Sequence, residues 1–128
     1  MNTILEAYGR EFCVIDASNL FVCTTLADEL ILFSAEHMLD ALTSQCAELG
    51  IAVKPTRALR TYSGGEQAMI SCLLISLMLP ARPVRILLVH IVEALSLGNA
   101  RKMLCLMRAN ASQISVYTLT ATGPAPYA

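Results

Sequence analysis

The sequence predicts an α/β fold: a single domain with a small, mostly parallel sheet flanked by helices. Three observations carry that expectation. Segments of strand character alternate with segments of helical periodicity. The run Arg85-Ile-Leu-Leu-Val-His-Ile-Val92 is apolar almost throughout, as a strand covered on both faces must be. The 128 residues amount to one domain, large enough to form a core without disulfide or metal staples.

Taken in order, Met1 to Gly9 reads as a short helix or an arm, with Ile4, Leu5 and Tyr8 on one side. Glu11 to Asp16 is rich in β-branched and aromatic residues and is expected to be a strand. Ser18-Asn19 is turn-like, so Leu20 to Cys23 is expected to return as the second strand of a hairpin. Thr24 or Thr25 can cap a helix whose first turn carries Asp28 and Glu29. Leu26, Leu30 and Phe33, then Met38, Leu42, Cys46 and Leu49, keep helical spacing, with Ser34 dividing two helices and Gly50 as the stop. Pro55 demotes residues 51–59 to an edge strand or loop.

The next helix is expected over 67–79, with only Gln67, Ser71 and Ser76 polar, and Pro80 ends it. Its apolar run is about half the ~20 residues needed to cross a bilayer, so it is expected to be core. The strand over 85–92 follows, with His90 expected inside it as a buried, neutral histidine. Leu97-Gly98-Asn99 breaks the chain, Asn99 being the expected cap of a helix whose apolar face is Met103, Leu104, Leu106 and Met107. Ile114 to Thr120 is the last expected strand, and residues 123–128 are expected to form a loosely held tail.

Composition narrows the function classes. Hydrophobic residues make up 55%, charged ones 15%, and the mean hydropathy is +0.58. A chain this apolar, with no membrane span, is expected to hide surface in a homo-oligomer or a protein partner. It shows no basic segment followed by an apolar one at its start, so neither signal peptide nor anchor is expected. Charge is segregated. Up to Glu48 there are eight acids against Arg10 alone, a net of −7; from Leu49 onward eight bases face Glu66 and Glu93, a net of +6. Such polarity serves internal pairing, head-to-tail assembly or a basic face for an anionic partner. Nucleic-acid stacking is unsupported, because aromatics are not interleaved with the bases. Cys13, Cys23, Cys46, Cys72 and Cys105 are odd in number and lack zinc-type spacing. They are expected to be buried free thiols in a reducing cytoplasm, with no metal or cofactor. His37, among acids, is expected to be solvated.

One motif stands out. Ser63-Gly64-Gly65-Glu66 has the S-x-x-E form of a capping box, placed just before an apolar run. If an anion binds anywhere, the Ser63, Gly64 and Gly65 amides, with Arg57 or Arg60 nearby, are the expected site. Tyr62-Ser-Gly-Gly-Glu-Gln67 also resembles the signature motif of ATP-binding cassette ATPases, usually Leu-Ser-Gly-Gly-Gln/Glu-Gln. In that family the motif opens a helix whose amides face a nucleotide phosphate held by the opposite subunit. The resemblance covers the second half of the chain and implies a strand, a helix and a further strand after the motif, at 85–92 and 114–121 for the strands. It also implies what is missing here. There is no G-x-x-x-x-G-K-[ST] phosphate loop, the acidic pair expected after the strand is His90-Ile91, and the switch histidine's position holds Ala121.

The functional expectation is therefore a non-catalytic cytoplasmic domain for protein–protein interaction or self-assembly. The first alternative is a phosphate- or nucleotide-sensing, degenerate cassette-like domain that works with a partner ATPase. The second is a small enzyme using Cys13, Asp16 or His90.

Overall fold

The structure is a computed structural model that describes residues 3–127. Four strands form one sheet in the order β1-β2-β3-β4: β1 (Cys13–Asp16), β2 (Val84–Val89), β3 (Ile114–Thr120) and β4 (Gly123–Pro126). The first three are parallel, with Cys13 opposite Ile86 and Val84 opposite Ile114, and β4 closes the edge antiparallel to β3. The helices are α1 (Thr3–Tyr8), α2 (Leu26–Leu32), α3 (Leu39–Glu48), α4 (Gly64–Met78) and α5 (Leu97–Asn110). The fold class is the α/β arrangement the sequence predicts.

The alternation of β2 explains why it is apolar throughout. Ile86 and Leu88 point into the main core with residues of α2, α3, α4 and α5, whereas Leu87 and Val89 enter a second cluster with Phe12, Val14, Tyr117 and α1. Parallel pairing requires crossovers, and helices packed over one face supply them. α4 lies deepest, with Ile70, Cys72 and Leu73 fully buried, so it needs no polar face. Its buried Ser76 hydroxyl donates to Leu73 O and accepts from Asn110 Nδ2, while Asn110 and Gln45 exchange two amide bonds at 2.7 and 2.8 Å. That network ties α3, α4 and α5 without leaving a buried polar atom unsatisfied.

Four local expectations are corrected. Leu20 to Cys23 is not a hairpin strand, because β1 takes β2 as its parallel partner and a different interaction holds those residues. β2 ends at Val89; His90 turns out of the sheet with φ 56° and is exposed, its Nδ1 2.9 Å from Glu93. Ser96, not Asn99, caps α5, accepting from the Asn99 amide at 3.1 Å. Residues 123–126 form β4, and the Tyr127 amide donates to Val116 O; Ala128, like Met1 and Asn2, lies outside the described residues.

Candidate functional site

The tip of α4 is built as its sequence dictates. Ser63 is the N-cap, its hydroxyl accepting from the Glu66 amide at 3.1 Å while the Glu66 carboxylate accepts from the Ser63 amide at 2.9 Å. The two glycines differ in cause. A Cβ on Gly65 would sit 2.8 Å from the Ala94 carbonyl, so the 3-10 turn over Val92–Ala94 permits only glycine there. A Cβ on Gly64 would meet nothing within 4 Å. Ser63 and Gly64 are exposed, so the tip opens to solvent.

The five residues expected around an anion are divided by the fold. Ser63 and Gly65 border a cleft of about 350 Å³ that they share with Glu66, Leu95 and Ser96. Arg57 is folded back onto its own loop, bonding Thr61 Oγ1 and Thr61 O at 2.8 Å and lying 4.0 Å over the Tyr62 ring. Arg60 lines a different cleft, of about 380 Å³, with Ser18, Asn19, Cys23 and Gln67. The tip therefore offers amides but has the Glu66 carboxylate beside them.

Asp16 lies opposite Val89, next to His90, whereas Cys13 stands at the other end of β1, so the strand separates Cys13 from the other two. Cys13 opens β1 and packs toward the main core, whereas Asp16 closes the strand three residues on. Asp16 is engaged in a turn, its Oδ1 accepting from the Ser18 amide and hydroxyl at 3.0 and 2.8 Å. Cys13, Cys23, Cys46 and Cys72 are not poised as thiolates. Burial pushes Cys46 and Cys72 up to about 12 and raises Cys13 as well. Cys23 is raised by burial first and then by the neighbouring Glu29 carboxylate. Of the five thiols expected to be buried, Cys46 and Cys72 are; Cys13 and Cys23 are half-buried and Cys105 is exposed on α5, which corrects their placement. All five are free thiols.

A second surface carries no sequence motif. Val22, Ile31, Leu32 and Phe33 are 75, 60, 52 and 47% exposed. Val22 and Phe33 border an apolar groove of about 230 Å³ whose floor is Ser71, Leu74, Ile75 and Met78 of α4. The groove exists because Glu29, read from sequence only as a helix-dipole residue, turns inward. Buried to 3% exposure, its carboxylate accepts from the Cys23 amide at 2.7 Å and the Val22 amide at 2.9 Å. Those bonds replace the ladder a hairpin would have supplied and hold Val22 outward. Asp28 in α2, Glu36 in the 3-10 turn Glu36–Met38 and Asp40 in α3 are all exposed, and residues 26–48 carry no Lys or Arg.

The opposite charge lies on α5. Leu97, Arg101, Cys105 and Arg108 recur at helical spacing and are all exposed, with Leu97 at 63%. Among the described residues the ion pairs are Arg85–Glu11 at 4.0 Å and His90–Glu93. Among the described residues Arg85–Glu11 is thus the one ion pair that joins the acidic and basic halves. No helix among the described residues is long and apolar enough to cross a membrane. No group of His, Cys, Asp and Glu there could hold a metal ion. Set against models of known protein families and against curated protein sequences, the chain matches none.

Proposed function

We propose that the chain is a non-catalytic, cytoplasmic protein–protein interaction domain that assembles head to tail with further copies of itself. The observation that carries this reading is the exposed apolar side chains of Val22, Ile31, Leu32 and Phe33, of which Val22 and Phe33 border a formed groove. A second copy supplies the complement. The outward stripe of α5 has one apolar anchor, Leu97, and then Arg101 and Arg108, which suits an apolar groove whose exposed rim, Val22 and Phe33, belongs to the half of the chain that carries the acids. Contact between the acidic half of one copy and the basic half of the next joins two different surfaces, and is therefore heterologous. Unpaired thiols are compatible with a reducing compartment. Light scattering over rising concentration tests the reading. Mass that grows with concentration and falls with added salt is expected; a monomer throughout contradicts it.

A second reading is favoured by Gly64, for which neither packing nor backbone angle gives a reason. In a degenerate cassette-like domain, the Ser63 hydroxyl and the Gly64 and Gly65 amides would approach a phosphate held by a partner ATPase. The order α4-β2-α5-β3 is the one that resemblance implies, which supports the reading. Calorimetry with ATP, with and without such a partner, decides it: no heat in either case ends it.

A further inference from the structure

The amino end of the sheet, opposite to the α4 tip, holds a cleft that neither reading uses. It measures about 390 Å³ and takes one arginine from each of three separate segments. Arg10 comes from the turn between α1 and β1, which is fixed by bonds from the Gly9 amide to Leu5 O and from the Phe12 amide to Tyr8 O. Arg82 comes from the α4–β2 connection, stiffened by Pro80 and Pro83 and closed by the Arg82 amide bonding Pro80 O at 2.8 Å. Arg85 stands near the start of β2. Its guanidinium lies 4.4 Å over the Phe12 ring and 5.4 Å from the Tyr117 ring, which orients the side chain while leaving it 49% exposed.

Three cations against one carboxylate leave this cleft with an excess of two positive charges. That carboxylate, Glu11, is 4.0 Å from Arg85, beyond hydrogen-bond length, and is 71% exposed. Arg10 and Arg82 have no ion pair among the described residues. Arg10 is brought by the fold to the same cleft as Arg82 and Arg85, and an anion shared by the three offsets the repulsion among their guanidinium groups. The ring-stacked Arg85 loses little rotamer freedom on binding, so its donors are pre-oriented. The size suits a small molecule and not a protein surface.

We propose that this cleft binds a small phosphate anion of at least two negative charges, held by Arg10, Arg82 and Arg85 through forked guanidinium–phosphate bonds. Phosphate monoesters and pyrophosphate share that chemistry, and the experiment separates them. Titration calorimetry of the full chain with pyrophosphate, with inorganic phosphate and with a phosphate monoester reads binding directly, ranking the three. Saturable heat is expected, weakened at least about tenfold by Arg82→Ala and again by adding Arg10→Ala, with weaker binding at higher salt. Both residues are exposed and remote from the core, so circular dichroism of these variants is expected to match the parent chain. Arg60→Ala, at the other end of the sheet, leaves the affinity unchanged. The proposal is overturned if none of the three anions gives heat. Binding that survives the double variant, or that falls with Arg60→Ala instead, overturns it equally, because the anion then sits elsewhere.

Discussion

The tip of α4 and the groove beside α2 are both exposed, yet their causes differ. At the tip, every hydrogen bond is local: Ser63 and Glu66 exchange bonds within three residues, and Gly65 is explained by the Ala94 carbonyl above it. At the groove, the holding interaction spans from α2 to a loop seven residues earlier, and its product is outward-facing Val22 and Phe33 with no structural partner. The difference teaches that a conspicuous motif can be largely accounted for by helix initiation. The surface better suited to contact another molecule has no motif at all, only apolar side chains that folding leaves outside.

The largest expected effect breaks the groove. Glu29→Ala removes the acceptor of two loop amides and empties a buried site, which should cost about 3 kcal/mol in denaturant unfolding. Glu29→Gln, retaining one acceptor, should lose less. A drop under about 0.5 kcal/mol for Glu29→Ala would mean that the loop finds equivalent partners.

Next comes the pair of glycines, which sharpens the account of the tip. Gly65→Ala drives a Cβ against backbone and should destabilise by about 2 kcal/mol in the same measurement. Gly64→Ala enters open space at a helical position and should stabilise by about 0.5 kcal/mol. If Gly64→Ala also abolishes ATP-dependent heat in the presence of a partner ATPase, Gly64 is a contact residue and the tip acquires a role beyond capping.

Alkaline pH gives a further check on the core. The raised values of Cys46 and Cys72 mean that the folded chain keeps these thiols neutral where the unfolded chain ionises them. The contribution of these two thiols should therefore be constant below about pH 8, and stability should fall as pH climbs from 9 toward 12. Cys46→Ala with Cys72→Ala, though costly at neutral pH, should flatten that fall in thermal melts.

What the sequence reveals depends on the range of the interaction. The capping box, the left-handed Gly50 stop and the two-faced burial of β2 follow from neighbours along the chain or from strand alternation, and each is legible. The break after α2 is legible as well, since Ser34 takes φ 54°. The loop after β1 is not. Its hairpin reading fails because Glu29 satisfies its amides from α2, and an inward-turned carboxylate looks the same in sequence as a solvated one. β4 is hidden for a related reason. Gly123-Pro-Ala-Pro has little strand propensity, and it pairs only because β3 presents an open edge on which Pro124 and Pro126 can sit. The expected anion site reflects the same limit: proximity in sequence places Arg57 and Arg60 beside Ser63, but Tyr62 and Thr61 hold Arg57 away from the tip.

The most direct test of head-to-tail assembly mixes two singly altered chains. Phe33→Lys puts a cation at the groove and leaves α5 intact, whereas Leu97→Glu puts an acid on α5 and leaves the groove intact. Both positions are exposed, so each chain should fold. Sedimentation at about 50 µM should show each variant alone as a monomer and the equimolar mixture as a one-to-one dimer, since one intact contact remains and cannot propagate. A mixture that stays monomeric while the unaltered chain assembles, or variants that assemble unmixed, would contradict the account.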